Sequence, residues 1–114
     1  MRDIFGATAE TIIDMENKVH QKNDPKGHAR RLERILASWP QIIRILDEEL
    51  PSAQDIVHWL QTLRMPALTA DIGVADADVR RAFIGSRDIR DKYLLSSLLW
   101  DLGLLYDTSD TLLE

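Results

Sequence analysis

The sequence predicts an all-α fold, a single domain over residues 1–114 with about six helices in an orthogonal, bundle-like packing. Apolar residues recur at helical spacing through most of the chain, which indicates amphipathic helices. No segment alternates apolar and polar residues between turn signals, so strands are not expected. A chain of 114 residues suffices for one core that buries roughly two-thirds of the unfolded surface.

Two helices are expected before residue 50. The first is weakened near its start by Gly6, and the turn-forming residues 23–27 mark its end. The second begins near His28. Pro40 kinks or restarts it, with Ser38 as a candidate cap, because proline cannot donate a backbone N–H within a helix. The apolar stripe of the first helix consists of Ile4, Phe5, Ala9, Ile12, Ile13 and Val19.

A third helix and a short helical turn follow. Ser52 and Asp55 have the spacing of a capping box at the start of this helix. Pro66 ends it, because the residue before a proline is disfavoured in the helical region. A turn over residues 67–72 is expected to close at Gly73.

The last part of the chain predicts two more helices, separated at Gly85. The first of them starts with Asp76 and Asp78, carboxylates that complement the positive end of a helix dipole. The second is expected to be long, to end at Gly103 and to lie at the centre of the fold with Trp100 largely buried. Its central leucines are Leu94, Leu95, Leu98, Leu99 and Leu102.

The composition restricts the class of protein and its partners. The chain has no cysteine, which excludes disulfides and thiolate metal sites. The amino-terminal residues lack the apolar segment of a signal peptide, and no apolar run approaches the ~18 residues that span a bilayer. The net charge of −5 disfavours nucleic acid as a partner. We therefore expect a cytoplasmic protein with no membrane partner.

The polar residues of the first two helices form no recognised ligand set. His20 and His28 flank Asp24, but the loop between them and their spacing match no standard zinc pattern. Surface or capping roles are expected for both histidines. The basic residues of the second helix are expected to form a solvated face that includes Glu33 rather than a surface for an acidic partner. These basic residues are Lys26, Arg30, Arg31 and Arg34.

The alternative class of function is an independent helical interaction module, and residues 68–83 suggest helix-turn-helix DNA binding as one form of it. In that interpretation Gly73 lies in the turn, and Arg80 and Arg81 face the DNA. Two short helices joined by a glycine turn are also common in helical domains in general. Because Asp76 and Asp78 would repel phosphates at the front of the recognition helix, DNA binding is the less favoured function.

The last third of the chain contains its most specific motifs. The block Ile89-Arg90-Asp91-Lys92-Tyr93 is followed by Leu-Leu-Trp-Asp-Leu-Gly-Leu-Leu over residues 98–105. Both blocks resemble the carboxy-terminal region of the glycerol-1-phosphate dehydrogenases related to the AraM group, within the iron-type alcohol and polyol dehydrogenases. Ile89, Arg90, Asp91 and Tyr93 are the positions that match the family signature, and the resemblance assigns them no defined role.

Weaker segments extend the resemblance from about residue 4 to residue 106, in the same order and at similar separations. They are Glu-Thr-Ile-Ile-Asp at 10–14, the stretch 28–39, Leu-Pro-Ser-Ala at 50–53 and Ile-Gly-Val at 72–74. Three residues depart from the family pattern: Lys92 replaces arginine, Leu94 replaces threonine and Ala75 replaces a helix-capping serine. If the family's arginine and threonine assist substrate or subunit contacts, that role is in doubt for this chain.

The resemblance implies a two-part enzyme. An amino-terminal α/β domain binds NAD(P), a helical domain supplies part of a divalent metal site, and hydride moves between the cofactor and a glycerol phosphate or similar polyol. The family's last metal histidine lies in a His-Gly motif, and none of His20, His28 and His58 precedes a glycine. The resemblance therefore gives this chain no catalytic, cofactor-binding or metal residue. We expect a helical lobe that is inactive alone, separated from its parent by a truncated reading frame, proteolysis or design.

Separation from a parent enzyme would uncover apolar surface. The first helix is the expected site because its apolar stripe is long for a helix with one side to bury. We therefore expect the chain to bind its missing amino-terminal domain or to form a homo-oligomer. The residues expected in that contact are Ile4, Phe5, Ile12 and Ile13.

Overall fold

Helices form the regular structure throughout the residues that the computed structural model describes, 1–89 and 91–112. This confirms the predicted all-α class. Among these residues, no helix is both long enough and apolar enough to cross a membrane. The α-helices are α1 (Arg2–Phe5), α2 (Ala9–Met15), α3 (Pro25–Ala37), α4 (Trp39–Glu49), α5 (Ala53–Thr62), α6 (Asp76–Ile89), α7 (Leu95–Asp101) and α8 (Leu105–Thr111).

The amino-terminal helix is interrupted, as its glycine predicted. Gly6 has a φ of 51° and ends α1, because glycine adopts positive φ without a steric penalty. A 3-10 turn over Gly6–Thr8 leads into α2. A π-helical turn over Glu16–His20 then follows, and Gln21 in the left-handed region ends it.

Side-chain caps start α3 and α5. The Asp24 carboxylate accepts a 2.6 Å hydrogen bond from the Gly27 N–H, and Pro25 occupies the first helical position. The Ser52 hydroxyl accepts a 3.1 Å bond from the Asp55 N–H, which confirms the predicted cap. The Ser52 hydroxyl also donates a 2.6 Å hydrogen bond to the Asp55 carboxylate. In a standard capping box the carboxylate would accept from the Ser52 backbone N–H instead.

Proline and glycine set three further boundaries at the predicted places. α3 ends at Ala37 and α4 begins at Trp39, so Pro40 lies in a first turn, where a missing N–H has no helical partner to lose. Gly73 (φ 68°) closes the 3-10 turn Thr69–Ile72. Gly103 (φ 75°) follows α7, and the Leu104 N–H bonds to the Leu99 carbonyl at 2.7 Å, as in a Schellman motif.

The prediction of a helix boundary at Gly85 was wrong. α6 runs through Gly85 and Ser86 to Ile89, and α7 is a separate short helix that begins only at Leu95. Gly85 is buried because α1 packs on α6 at this point. A Cβ atom there would lie 2.9 Å from Ile4 Cγ2 and 2.9 Å from Phe5 Cζ. The glycine therefore provides a close helix–helix approach and not a break.

The predicted leucine-rich centre was also wrong. Leu95 is 61% exposed, and Trp100 is only half-buried, because α7 directs its serines, not its leucines, towards α6. The Ser86 and Ser96 hydroxyls lie 2.7 Å apart. Small side chains let α6, α7 and α8 pack on one another. The most deeply buried residues of the described chain are Ala9, Leu105, Ser96 and Ser109.

Helices α4 and α5 carry much of the exposed apolar surface. The radius of gyration is 16.6 Å, whereas a compact domain of this length has about 13 Å. The difference reflects helices that extend away from the group formed by α1, α6, α7 and α8. We call the exposed apolar side chains of α4 and α5 the open face. It comprises Trp39, Ile43, Ile45, Leu46, Ile56, Val57 and Trp59.

The first prediction concerns Gly85. Replacement by alanine should destabilise the protein by about 1–3 kcal/mol, since the new methyl group overpacks the α1–α6 contact. Chemical denaturation followed by circular dichroism measures the loss. Arg81→Ala on the exposed side of α6 is the matched control and should change stability by less than about 0.5 kcal/mol. Equal stabilities of the two variants would contradict the close approach.

Candidate functional site

Asp101 is the centre of a polar network between α3 and α7. Its side chain is 1% exposed. Asp101 is the last residue of the short helix α7. A carboxylate so far from water is stable only when several donors satisfy it. Three side chains surround it, from α3 and from the segment before α7: Arg31, His28 and Tyr93.

Arg31 neutralises Asp101. Its Nε and Nη2 atoms each donate a 3.0 Å hydrogen bond, to Oδ2 and Oδ1 respectively, the bidentate geometry that suits guanidinium and carboxylate. Nη2 also donates to the Lys22 carbonyl at 2.8 Å. Burial alone would raise the pKa of Asp101, but the hydrogen bonds from Arg31 and Tyr93 outweigh it and lower that pKa. Arg31 therefore does not belong to the solvated face that the sequence predicted.

Tyr93 brings the family-signature block into the same network. Its hydroxyl donates a 2.8 Å hydrogen bond to Asp101 Oδ2. Burial and this bond raise the pKa of Tyr93 above its ordinary value, so the phenol stays a neutral donor. The other signature positions differ: Ile89 and Asp91 are exposed, and Arg90 lies outside the described residues.

His28 and Trp100 close one side of the network. His28 Nε2 lies 3.1 Å from the Asp101 carbonyl oxygen and 3.6 Å from Asp101 Oδ1. The imidazole meets the Trp100 ring edge to face at 5.1 Å. Arg87 lies over the Trp100 ring, with its guanidinium carbon 4.1 Å from the ring centroid. The His28 side chain stays 32% exposed and contacts the carbonyl of the last α7 residue, in keeping with the expected surface or capping role.

A second group of polar contacts joins the loop before α3 to α6. Lys22 Nζ donates to the Arg87 carbonyl at 2.7 Å, and Arg87 Nη2 donates to Asn23 Oδ1 at 2.6 Å. The Asn23 N–H donates to the buried Glu16 carboxylate at 2.8 Å. Asp88 lies beside this group. Burial raises the pKa of Asp88, although the positive charges of Arg87 and Lys22 act to lower it.

The two groups border one cavity of about 110 Å³. Four cationic side chains and two carboxylates line it, together with the Tyr93 and Trp100 rings. We call it the basic cavity. Its cations are Lys22, Arg31, Arg87 and Lys92, and its carboxylates are Asp91 and Asp101. Such a set can attract an anion.

The described residues do not fit the divalent metal that the family resemblance implies. No group of three or more His, Cys, Asp or Glu side chains within them could hold a metal ion, whereas catalytic zinc, for example, takes three protein ligands. His28 faces Asp101 and Trp100. The five glycines are isolated in sequence, so none forms a phosphate-cradling loop for NAD(P).

The residues expected to mediate self-association are half-buried. Ile4 and Phe5 pack against α6 beside Gly85, and Ile12 and Ile13 are also partly covered. The open face on α4 and α5 exposes larger apolar side chains, among them Trp59 at 51%. Self-association through the first helix stays a prediction, and the packing of α6 on Ile4 and Phe5 reduces the apolar surface available for it.

The helix-turn-helix interpretation finds little geometric support. Its first helix is a single 3-10 turn, Thr69–Ile72, and not an α-helix of the usual length. Arg80 Nε lies 2.6 Å from Asp110 Oδ1, and Arg81 lies 3.4 Å from Asp78 Oδ1. Both arginines that would face DNA are therefore close to a carboxylate.

Comparison with family models, with curated proteins and with solved structures finds no match to this chain.

The second prediction concerns the pH dependence that Asp101 imposes on stability. Because its pKa is lower in the folded protein, its contribution is fully present above the ordinary value of about 3.9 and is lost as the pH falls through the folded pKa. Asp101→Asn should cost about 2–3 kcal/mol at pH 7. That is below the ~3–5 kcal/mol of a fully buried pair, since Arg31 is partly exposed. The loss should shrink below about pH 4 in urea titrations.

Asp88→Asn is the matched control with the opposite sign. The folded protein raises the pKa of Asp88, so the ionised carboxylate destabilises the fold at pH 7 and the amide should stabilise it. That gain should disappear in acid, where Asp88 is protonated in both states. A pH-independent loss for Asp101→Asn, or a loss for Asp88→Asn at pH 7, would contradict the assigned charges.

Proposed function

We propose that this chain is the helical carboxy-terminal lobe of a metal- and NAD(P)-dependent polyol-phosphate dehydrogenase of the glycerol-1-phosphate dehydrogenase type. One observation carries the proposal. Residues from three separate segments that resemble this family meet at Asp101: Arg31 from 28–39, Tyr93 from 89–93, and Asp101 itself from 98–105. The three segments resemble the family together because together they hold one lobe in its fold.

The role of the lobe in this proposal is structural. In this proposal other parts of the parent enzyme hold NAD(P) and the metal. The lobe closes one side of the cleft between them. The isolated chain is therefore inactive, and its parent is a cytoplasmic oxidoreductase.

The open face supports the same proposal. Exposed apolar patches are rare on independent monomers and are common where another domain or subunit packs. Helices α4 and α5 expose many large apolar side chains, with Trp39 and Trp59 among the largest. In the parent enzyme this face packs against the cofactor domain or against a second subunit of a homo-oligomer.

The third prediction tests the lobe directly. A chimaera carries residues 1–114 in place of the corresponding region of a known glycerol-1-phosphate dehydrogenase. It should oxidise glycerol phosphate with NAD(P), while the isolated chain should neither do so nor bind either cofactor. The absorbance of NAD(P)H measures the oxidation of glycerol phosphate, and calorimetry measures cofactor binding.

Two variants of α5 test whether assembly and activity of the chimaera depend on the open face. Trp59→Asp in the chimaera should weaken assembly and activity at least tenfold, because it places a charge in an apolar contact. Gln61→Asp, an exposed polar position on the same helix, should have little effect. A folded chimaera without activity, or cofactor binding by the isolated chain, would contradict the proposal.

A further inference from the structure

The basic cavity is lined mainly by cationic side chains, although the protein as a whole is acidic. The chain has a net charge of −5, yet four of the six charged side chains around this cavity are cationic. One of its two carboxylates, Asp101, is already neutralised by the bidentate contact with Arg31. Asp91 is the second carboxylate that lines the cavity, and Asp88 Oδ1 lies 3.6 Å from Arg87 Nη1 beside it. Charge of one sign within a concave surface attracts small ions of the opposite sign.

The cations of the cavity differ in how far the protein already engages them. Arg31 is committed to Asp101, and Lys22 Nζ donates to the Arg87 carbonyl. Arg87 donates to Asn23 through Nη2, lies over the Trp100 ring and has Asp88 Oδ1 3.6 Å from its Nη1. Lys92 makes no hydrogen bond or ion pair with another residue in the described part of the chain. Lys92 is thus the least engaged cation of the cavity, and Arg87 lines the same cavity beside it.

The dimensions and walls of the cavity suit one small anion. By the same measure of volume a water molecule needs about 10–15 Å³, so 110 Å³ accommodates a tetrahedral oxyanion with a few attached atoms. The Trp100 and Tyr93 rings form part of the wall. Apolar walls lower the local dielectric constant and strengthen the attraction between an anion and the neighbouring cations.

We infer that the basic cavity binds a phosphate-class oxyanion, either inorganic phosphate or the phosphate group of a small monoester, through Lys92 and Arg87. Lys22 and Arg31 contribute the surrounding positive potential. The inference does not depend on the proposed dehydrogenase role, because it rests on side chains that this chain contains.

Titration with inorganic phosphate, at constant ionic strength set with sodium chloride, tests the site. Trp39→Phe/Trp59→Phe leaves Trp100 as the single tryptophan, so its fluorescence reports an anion that displaces or tightens Arg87. Calorimetry on the unaltered chain gives the same constant if the double variant does not fold. Saturable binding with a dissociation constant of about 1 mM or tighter is expected, and chloride should not replace phosphate.

Charge variants locate the anion. Lys92→Gln should weaken binding about fivefold, equivalent to about 1 kcal/mol, and Asp91→Asn should strengthen it by removing the opposing carboxylate. Lys26→Gln on α3 is the matched control, because Lys26 is exposed and does not line the cavity. The Lys26→Gln variant should bind phosphate with the same affinity as the unaltered chain.

Two further results decide the inference and the source of the phosphate. Methyl phosphate that binds more tightly than inorganic phosphate assigns the cavity to a phosphorylated small molecule, and equal affinities assign it to free phosphate. The absence of saturable binding at about 20 mM phosphate, more than ten times the expected constant, would overturn the inference. Equal affinities of Lys92→Gln and Lys26→Gln would overturn it as well.

Discussion

The buried carboxylate of Asp101 determines how the helices of this chain are arranged. An unpaired carboxylate so far from water would cost several kcal/mol, so the fold depends on the donors that meet it. Arg31 lies 70 residues earlier in the sequence and supplies two of them. Because Arg31 also holds the Lys22 carbonyl, the pair fixes both α3 and the loop that precedes it against α7. Lys22 in turn reaches α6 through the Arg87 carbonyl.

This polar network compensates for a core of small side chains. Ser96 and Ser109 are almost fully buried where α6, α7 and α8 meet, and they bring little apolar area with them. Their hydroxyls are satisfied locally, at Ser86 and at the Tyr106 carbonyl. Close helix packing together with paired polar groups holds this part of the chain, while the apolar side chains of α4 and α5 stay exposed. The basic cavity exists because the same cations that hold the fold also surround a space beside Trp100.

The sequence predicted those features that depend on neighbouring residues. The cap at Ser52 and the turns at Gly73 and Gly103 follow from local backbone chemistry, and all three are found. Gly85 and the partners of Arg31 could not be predicted, because they depend on contacts with residues about 70–80 positions away. Helical spacing marks which face of α3 is charged but not which arginine meets a buried carboxylate. The resemblance singled out Tyr93 and the block that holds Asp101, although it gave neither residue a partner.

A double-mutant cycle on Arg31 and Asp101 measures directly whether their pairing holds the helices together. Arg31→Gln, Asp101→Asn and the double variant are unfolded in urea at pH 7, and their losses of stability are compared with the unaltered chain. Residues that share a buried ion pair show coupling energies of about 0.5–3 kcal/mol, and the bidentate geometry predicts a value near the upper end, about 2–3 kcal/mol. A coupling energy below about 0.5 kcal/mol would contradict the central role of this pair.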